Sequence, residues 1–300
     1  MNQSPSNFNI LCDGVGVFES PRWDGENGLF FSNVTGGGIH RFDLRDRRVT
    51  TVVPHRRGIG GFALTAEGDF VVSGRNVALK RNASDGTDVL LAPEGLGAPI
   101  IGFNDLGVDS RGNVAVGALG PGALSPKTLT GREPAPEVGA GTGAVYWHNG
   151  SGWIRAAADI GHPNGIAFSA GDRYAYVSDS LRRVVYRFEV DVTGWRNRIE
   201  LCRLERGLPD GLAIASDDSI WVAAALAGEL LVLESDGAVR SRFTMPQTLT
   251  TSVSFGGVDM RTVFVTSGSH DGADPAMVAA FRSPVPGRQL ARARVAGSTH

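Results

Sequence analysis

The sequence is short of the residues that mark many special classes of protein. Lysine occurs only at Lys80 and Lys127, so nearly all positive charge is arginine. Basic and acidic residues number 29 and 31, for a formal net charge of −2. With a pI near 6.3, the chain lacks the basic face of a nucleic-acid binder. There are two cysteines, Cys12 and Cys202. Neither sits in a C-x-x-C or beside a histidine at metal spacing, which excludes zinc-finger and thioredoxin-type sites. No apolar run reaches the roughly 18 residues of a membrane helix. Met1 to Ile10 lack the basic start and apolar stretch of a secretory signal, so the expected location is the cytoplasm. Also missing are long segments of helical period, a G-x-G-x-x-G turn, an H-E-x-x-H pair and a G-x-S-x-G elbow.

What the chain does have is glycine, 41 of 300 residues, about twice the usual share of roughly 7 %. Hydrophobic residues make up 42 %, enough to build a sizeable core. Short apolar runs of alternating character recur at 28–33, 69–73, 113–117, 174–178, 219–223 and 262–266. Each follows a turn signal, and each is preceded by another short run opening on a small or polar cluster. Those clusters centre on Pro21, Gly61, Asp105, Asn164, Asp210 and Ser252, at spacings of 40, 44, 59, 46 and 42. This is the repeat length of a four-stranded propeller blade. The expected fold is therefore all-β: one six-bladed propeller domain, with blades over about 7–285. Its many tight hairpins account for the glycine. The long third spacing contains residues 120–143, a Gly- and Pro-rich stretch expected to be a loop or lid at the channel mouth. The segment around 7–12 reads as a strand that pairs with the last blade and closes the ring. Residues 287–300 read as a partly loose tail.

In a propeller the innermost strand of each blade lines a central channel, so residues at the starts of those strands converge. Glu19, Asn104, Asn164 and Asp210 stand at such positions. Converging carboxylates repel one another, and a divalent cation relieves that repulsion. Carboxylate and amide oxygens suit hard cations. The competing reading is that Pro-Asn-Gly and Pro-Asp-Gly are simply turns.

Glu19-Ser-Pro-Arg-Trp23, Phe103-Asn-Asp105, Pro163-Asn-Gly-Ile-Ala-Phe-Ser169, Tyr174-Ala-Tyr-Val-Ser-Asp179, Pro209-Asp-Gly-Leu-Ala213 and Thr251-Ser-Val-Ser-Phe-Gly-Gly257 appear in this order. Over about residues 15–285 the chain resembles the senescence marker protein / gluconolactonase / luciferin-regenerating enzyme family. The resemblance implies a six-bladed propeller with one catalytic divalent metal and lactone-hydrolysing activity. It implies Glu19, Asn164 and Asp210 as metal ligands and Asp210 as general base. It places Asn104 beside the metal, where it contacts substrate or water. Calcium is the first choice of ion, with magnesium, manganese or zinc as alternatives. The implied reaction is attack of a metal-activated water on the carbonyl, with Asp210 taking its proton and the Asn104 amide helping to hold the oxyanion. The expected partner is a small-molecule substrate, with no nucleic acid or membrane, and the protein is a monomer or small homo-oligomer.

The chain departs from the family pattern in two places. Sugar-lactone members often carry an arginine where this chain has Gly102. Their substrate-binding glutamate has only Glu133 and Glu137 as candidates. Trp23, Ile59, Phe62 and Phe103 are expected to line the mouth, with His162 touching substrate. The lactone is then less polar than a sugar lactone. The alternatives are phosphotriester hydrolysis on the same site, a non-hydrolytic biosynthetic reaction, or a metal-stabilised binding propeller. His270 and Asp271 read as a surface turn or a mouth contact, and Asp109, Asp179 and Asp217 as turn residues.

Overall fold

The computed structural model describes residues 2–3, 8–82, 86–129, 132–134, 142–269 and 274–295. Six four-stranded antiparallel sheets follow one another around a ring, one of them extended by Asn2–Gln3, which pairs in parallel with Val239–Thr244. The innermost strands of blades 1 to 6 are Phe18–Trp23, Phe62–Leu64, Gly102–Val108, Pro163–Phe168, Leu208–Ile214 and Thr250–Gly256. The second strands are Gly28–Asn33, Phe70–Val72, Val114–Leu119, Tyr174–Asp179, Ile220–Ala225 and Thr262–Ser267, within about two residues of the runs read from the sequence. Helical structure among the described residues is confined to Pro126–Leu129 and a 3-10 turn at Ala170–Asp172. No helix among them is long and apolar enough to cross a membrane.

Burial decreases outward along each blade. The inner strand of blade 5 is buried from Pro209 to Ile214, whereas its outer strand, Val239–Thr244, is mostly exposed. The core is divided into wedges between neighbouring blades. Trp147, Ile166, Phe168 and Trp195 fill the wedge between blades 3 and 4. Trp221, Phe243, Phe255 and Phe281 fill that between blades 5 and 6. Each blade alone would leave an apolar face in water, so burial drives the stacking into a ring.

The ring closes as expected. Asn9–Gly14 is the outer strand of blade 6, antiparallel to Ala276–Arg282. The two cysteines are free thiols.

Of the segment 287–300, expected to be partly loose, residues 287–295 are docked and 296–300 lie outside the described residues. Residues 287–295 cross one end of the channel and are pinned by backbone hydrogen bonds. Gly287 N–H donates to Met260 O (2.7 Å), Arg288 to Ile214 O (3.0 Å), Ala293 to Leu64 O (2.8 Å) and Arg294 to Gly112 O (2.8 Å). Buried Ala293 also packs with the core between blades 2 and 3. The composition of the tail concealed these contacts because the backbone makes most of them.

Candidate metal centre

The inner strands are regular only in blade 2, where Phe62, Ala63 and Leu64 pair in register with Val72, Val71 and Phe70. The other five change register near their starts. The shifts fall between Glu19 and Arg22, Phe103 and Leu106, Pro163 and Ile166, Pro209 and Leu212, and Thr250 and Ser252. Such bulges break the strict alternation of faces and re-aim side chains. In blade 1 the irregularity includes Ser20, at φ +53°, whose Oγ accepts the Phe62 N–H at 3.2 Å. The bulges carry Glu19, Asn104, Asn164 and Asp210. Blade 2 has Gly60-Gly61 instead, and this leaves room for blade 3. A Cβ on Gly60 would lie 2.2 Å from Asn104 Oδ1, and one on Gly61 2.4 Å from Asp105 Oδ1.

Glu19, Asn164 and Asp210 are all buried and near one another. Burial, then the charges of Asp210 and Asp105, push the Glu19 carboxyl well above the usual carboxylate range. Burial and Asp105 do the same to Asp210, partly countered by hydrogen bonds from the Asn164 amide and the Gly211 N–H. Asp210 Oδ1 is buried without a hydrogen-bond partner. The Asn164 amide donates to Ser180 Oγ (3.2 Å), which donates to Pro209 O (2.7 Å). This links the two neighbouring strands that hold Asn164 and Asp210.

Sequence reading missed Asp105 and Arg22. Their side chains pair at 3.7 Å, and burial raises the Asp105 carboxyl to about 6 despite the guanidinium. Arg22 also donates to the carbonyls of Phe62 (3.1 Å), Pro21 (3.0 Å) and Leu106 (3.3 Å). The available signal was adjacency, since each lies within three residues of a site residue in a bulged strand.

These residues fit a divalent cation. Three buried carboxyls face one guanidinium, which leaves two negative charges to be balanced if all three ionise. The orphaned Asp210 oxygen, the Glu19 carboxylate and the Asn164 carbonyl oxygen form a hard donor set. Among the described residues no three His, Cys, Asp or Glu side chains come together with metal-ligating geometry. The set here has two carboxylates and an amide.

His162 is buried at the same end of the channel, and burial lowers its imidazole to about 4. Its Nδ1 accepts the Leu124 N–H at 3.0 Å, which fixes the neutral ring with its proton on Nε2. Nε2 lies 3.2 Å from Asn104 Nδ2, which donates to Pro163 O at 3.2 Å, while Asn104 Oδ1 is turned toward Gly60. The same contacts anchor the start of the 120–143 loop over this face. Residues 130–131 and 135–141 of that loop, with the Glu137 candidate, lie outside the described residues.

Several expected mouth residues are elsewhere. Trp23 ends its strand four residues after Glu19, about 13 Å along a β-chain, and stacks on Phe264 (5.8 Å, 14°). It faces a cavity at the opposite end of the channel. Ile59 and Phe62 are buried between blades 1 and 2, and Phe103 between blades 2 and 3. The apolar character read as a substrate wall is core packing. Glu133 pairs with Lys127 (2.9 Å). Asp179 accepts the N–H groups of Gly161 (2.7 Å) and His162 (3.0 Å) and so holds the His162 corner. Asp109 and Asp217 accept N–H groups within their turns. His270 and Asp271 lie outside the described residues.

A six-bladed propeller with acidic and amide oxygens gathered at one end of its channel defines a class of ring-shaped proteins built around an oxygen-lined centre. Residues 17–269 match the SMP-30/Gluconolactonase/LRE-like region, and the chain belongs to that family. It is 31% identical over 255 residues to a 6-deoxy-6-sulfogluconolactonase of Pseudomonas putida, covering 83% of this chain and 82% of the relative. It is 26% identical over 268 residues to a pentonolactonase of Haloferax volcanii, covering 85% and 82%. Among solved structures, a calcium-binding regucalcin of Agrobacterium tumefaciens superposes with a TM-score of 0.82 at 20% identity, over 98% of this chain and 100% of that one.

Proposed function

We propose that this protein is a hydrolase that opens a lactone ring, with a divalent cation held by Glu19, Asn164 and Asp210. The observation that carries the reading is the buried, unpartnered Asp210 oxygen beside two further carboxyls. The names of the two curated relatives, both lactonases, support the reaction class. Calcium is the first choice, in keeping with the calcium-binding description of the regucalcin.

A bound cation supplies electrophilic activation of the substrate carbonyl. Asp210 accepts the proton of the attacking water. The Asn104 amide stands beside these groups to help hold the carbonyl oxygen as it gains charge, with neutral His162 and the Pro163 carbonyl packed against it. The Arg22–Asp105 pair supports the floor beneath Glu19. The bulged strands set these groups before substrate arrives, which lowers the entropic part of the barrier.

The relatives' names point to sugar-acid lactones, whereas two features here favour a less polar ring. Gly102 offers no side chain to hold substrate hydroxyls, and Glu133 is engaged with Lys127. The test is a hydrolysis screen on metal-stripped protein reloaded with Ca²⁺, Mg²⁺, Mn²⁺ or Zn²⁺. Sugar lactones, aliphatic and aromatic lactones and phosphotriesters are the substrates. Metal-dependent opening of lactones, lost in Asp210→Ala and Glu19→Ala proteins that still fold, is the expected result. A hundredfold excess of ion over its Kd should stabilise the parent by about 2.7 kcal/mol and neither variant. Full turnover by either variant refutes its assigned role. Tight metal binding without turnover of any lactone refutes the reaction class.

A further inference from the structure

The opposite end of the channel, beneath the C-terminal crossing, holds a partly open cavity of about 110 Å³. Closed apolar cavities of roughly 150 Å³ take benzene; this one is smaller but open on one side, which suits a compact ligand of no greater size. Its walls include Leu106, Ile166 and Leu212. Two polar atoms on its lining are buried without partners: Nη1 of the half-buried Arg288 and Oγ of Ser254. Ser254 is 1% exposed. Asp172 also lines the cavity, but its carboxylate accepts the N–H of Ser110 at 3.1 Å as well as its hydroxyl. No carboxylate among the described residues lies within ion-pair distance of Arg288. Arg22 faces the cavity as well, but its guanidinium is occupied by carbonyls and Asp105, so it divides the cavity from the metal centre.

We propose that this tail-capped chamber is a second ligand site, separate from the metal centre, for a small monocarboxylate with a compact apolar body. One guanidinium nitrogen and one hydroxyl match the two oxygens of a carboxylate. Leaving a buried N–H donor unpaired is costly, and a carboxylate oxygen relieves that cost. Of the three arginines on the lining, Arg22 pairs with Asp105 and Arg292 donates to the Asp24 carbonyl, which leaves Arg288 Nη1 as the nitrogen without a partner. The apolar walls take the hydrocarbon part. Ser254 belongs to a blade and Arg288 to the crossing, so the ligand would bridge the two.

Isobutyrate is a suitable probe, followed by ligand-detected NMR titration of the full chain. An Asp210→Ala background excludes carboxylate bound at the metal centre. One saturable site is expected. Binding should weaken about tenfold or more in Arg288→Met, the scale of one charged hydrogen bond. The neutral isostere isobutyramide should bind the parent weaker by a similar factor. Equal binding of acid and amide, undiminished binding in Arg288→Met, or no saturable binding up to tens of millimolar overturns the proposal. If Arg288→Met fails to fold, Ser254→Ala replaces it: loss of affinity supports the site, and unchanged affinity refutes it.

Discussion

Gly165→Ala tests whether the tight spacing of the inner strands sets the geometry of the metal centre. A Cβ at 165 would lie 2.5 Å from the Asp210 carbonyl oxygen and 2.6 Å from the Leu212 nitrogen, against about 3.4 Å for ordinary contact. The obstructing atoms are backbone, so no side chain can swing aside. The inner strand of blade 5 must retreat by about 0.9 Å, carrying Asp210 away from Asn164. Overpacking of this kind costs roughly 1–3 kcal/mol. At about 2–4 °C per kcal/mol for large domains, melting should fall by several degrees while the ring stays folded. The effect on chemistry should be larger, since a displacement of about 1 Å can cost roughly a hundredfold in rate. Thermal melting and initial rates of lactone opening, at saturating Ca²⁺ to exclude simple metal loss, measure both effects. A variant that turns over within about twofold of the parent would show that strand spacing does not set the site.

Three further outcomes follow from the same structure. Gly60→Ala meets chiefly the Asn104 side chain, Oδ1 at 2.2 Å and Cγ at 3.2 Å, with the Asn104 backbone carbon at 3.3 Å; melting should change little while turnover drops, and unchanged turnover would remove Asn104 from the mechanism. Burial raises the Cys12 thiol to about 12, so at pH 8 only about one molecule in ten thousand carries its thiolate. A disulfide reagent should therefore attack Cys12 far more slowly in native than in unfolded protein. The unfolded thiol ionises from about pH 8.5 and the folded one does not, so its contribution to stability declines as pH rises above that value. Deleting residues 1–14 removes the outer strand of blade 6 and the Leu11 contact. Melting should fall and the exposed edge should promote association; an unchanged melting curve would refute ring closure as a source of stability.

The blades were legible because each hairpin carries its own turn chemistry and short apolar run, as at Ala66-Glu67-Gly68 before Phe70–Val72. The convergence of Glu19, Asn164 and Asp210 followed from topology once six repeats were counted. The bulges were not legible, because register depends on how two strands pair. Without them strict alternation would set neighbours such as Asn104 and Asp105 on opposite faces, so Asp105 was passed over. Trp23, Phe62 and Phe103 were misplaced for a related reason: an aromatic beside a site residue can face the wedge between blades as readily as the channel. The docking of residues 287–295 rests largely on backbone donors, which every sequence possesses.

The closing strand has a consequence for how the molecule comes into being. Asn9 pairs with Ala280, so about 270 residues must be looped before that contact forms. The entropy of such a loop is roughly 5 kcal/mol by the logarithmic estimate. A ribosome that has made five blades has made every residue proposed to bind the ion, yet the first strand still lacks its neighbour from blade 6. Thr251, which donates to Phe18 O beside Glu19, is synthesised only near the end. The nascent chain therefore holds an unfinished centre and an open edge, the condition in which β-rich chains aggregate most readily. Completion of the centre is tied to the last blade, so a truncated product is left without the assembled chemistry.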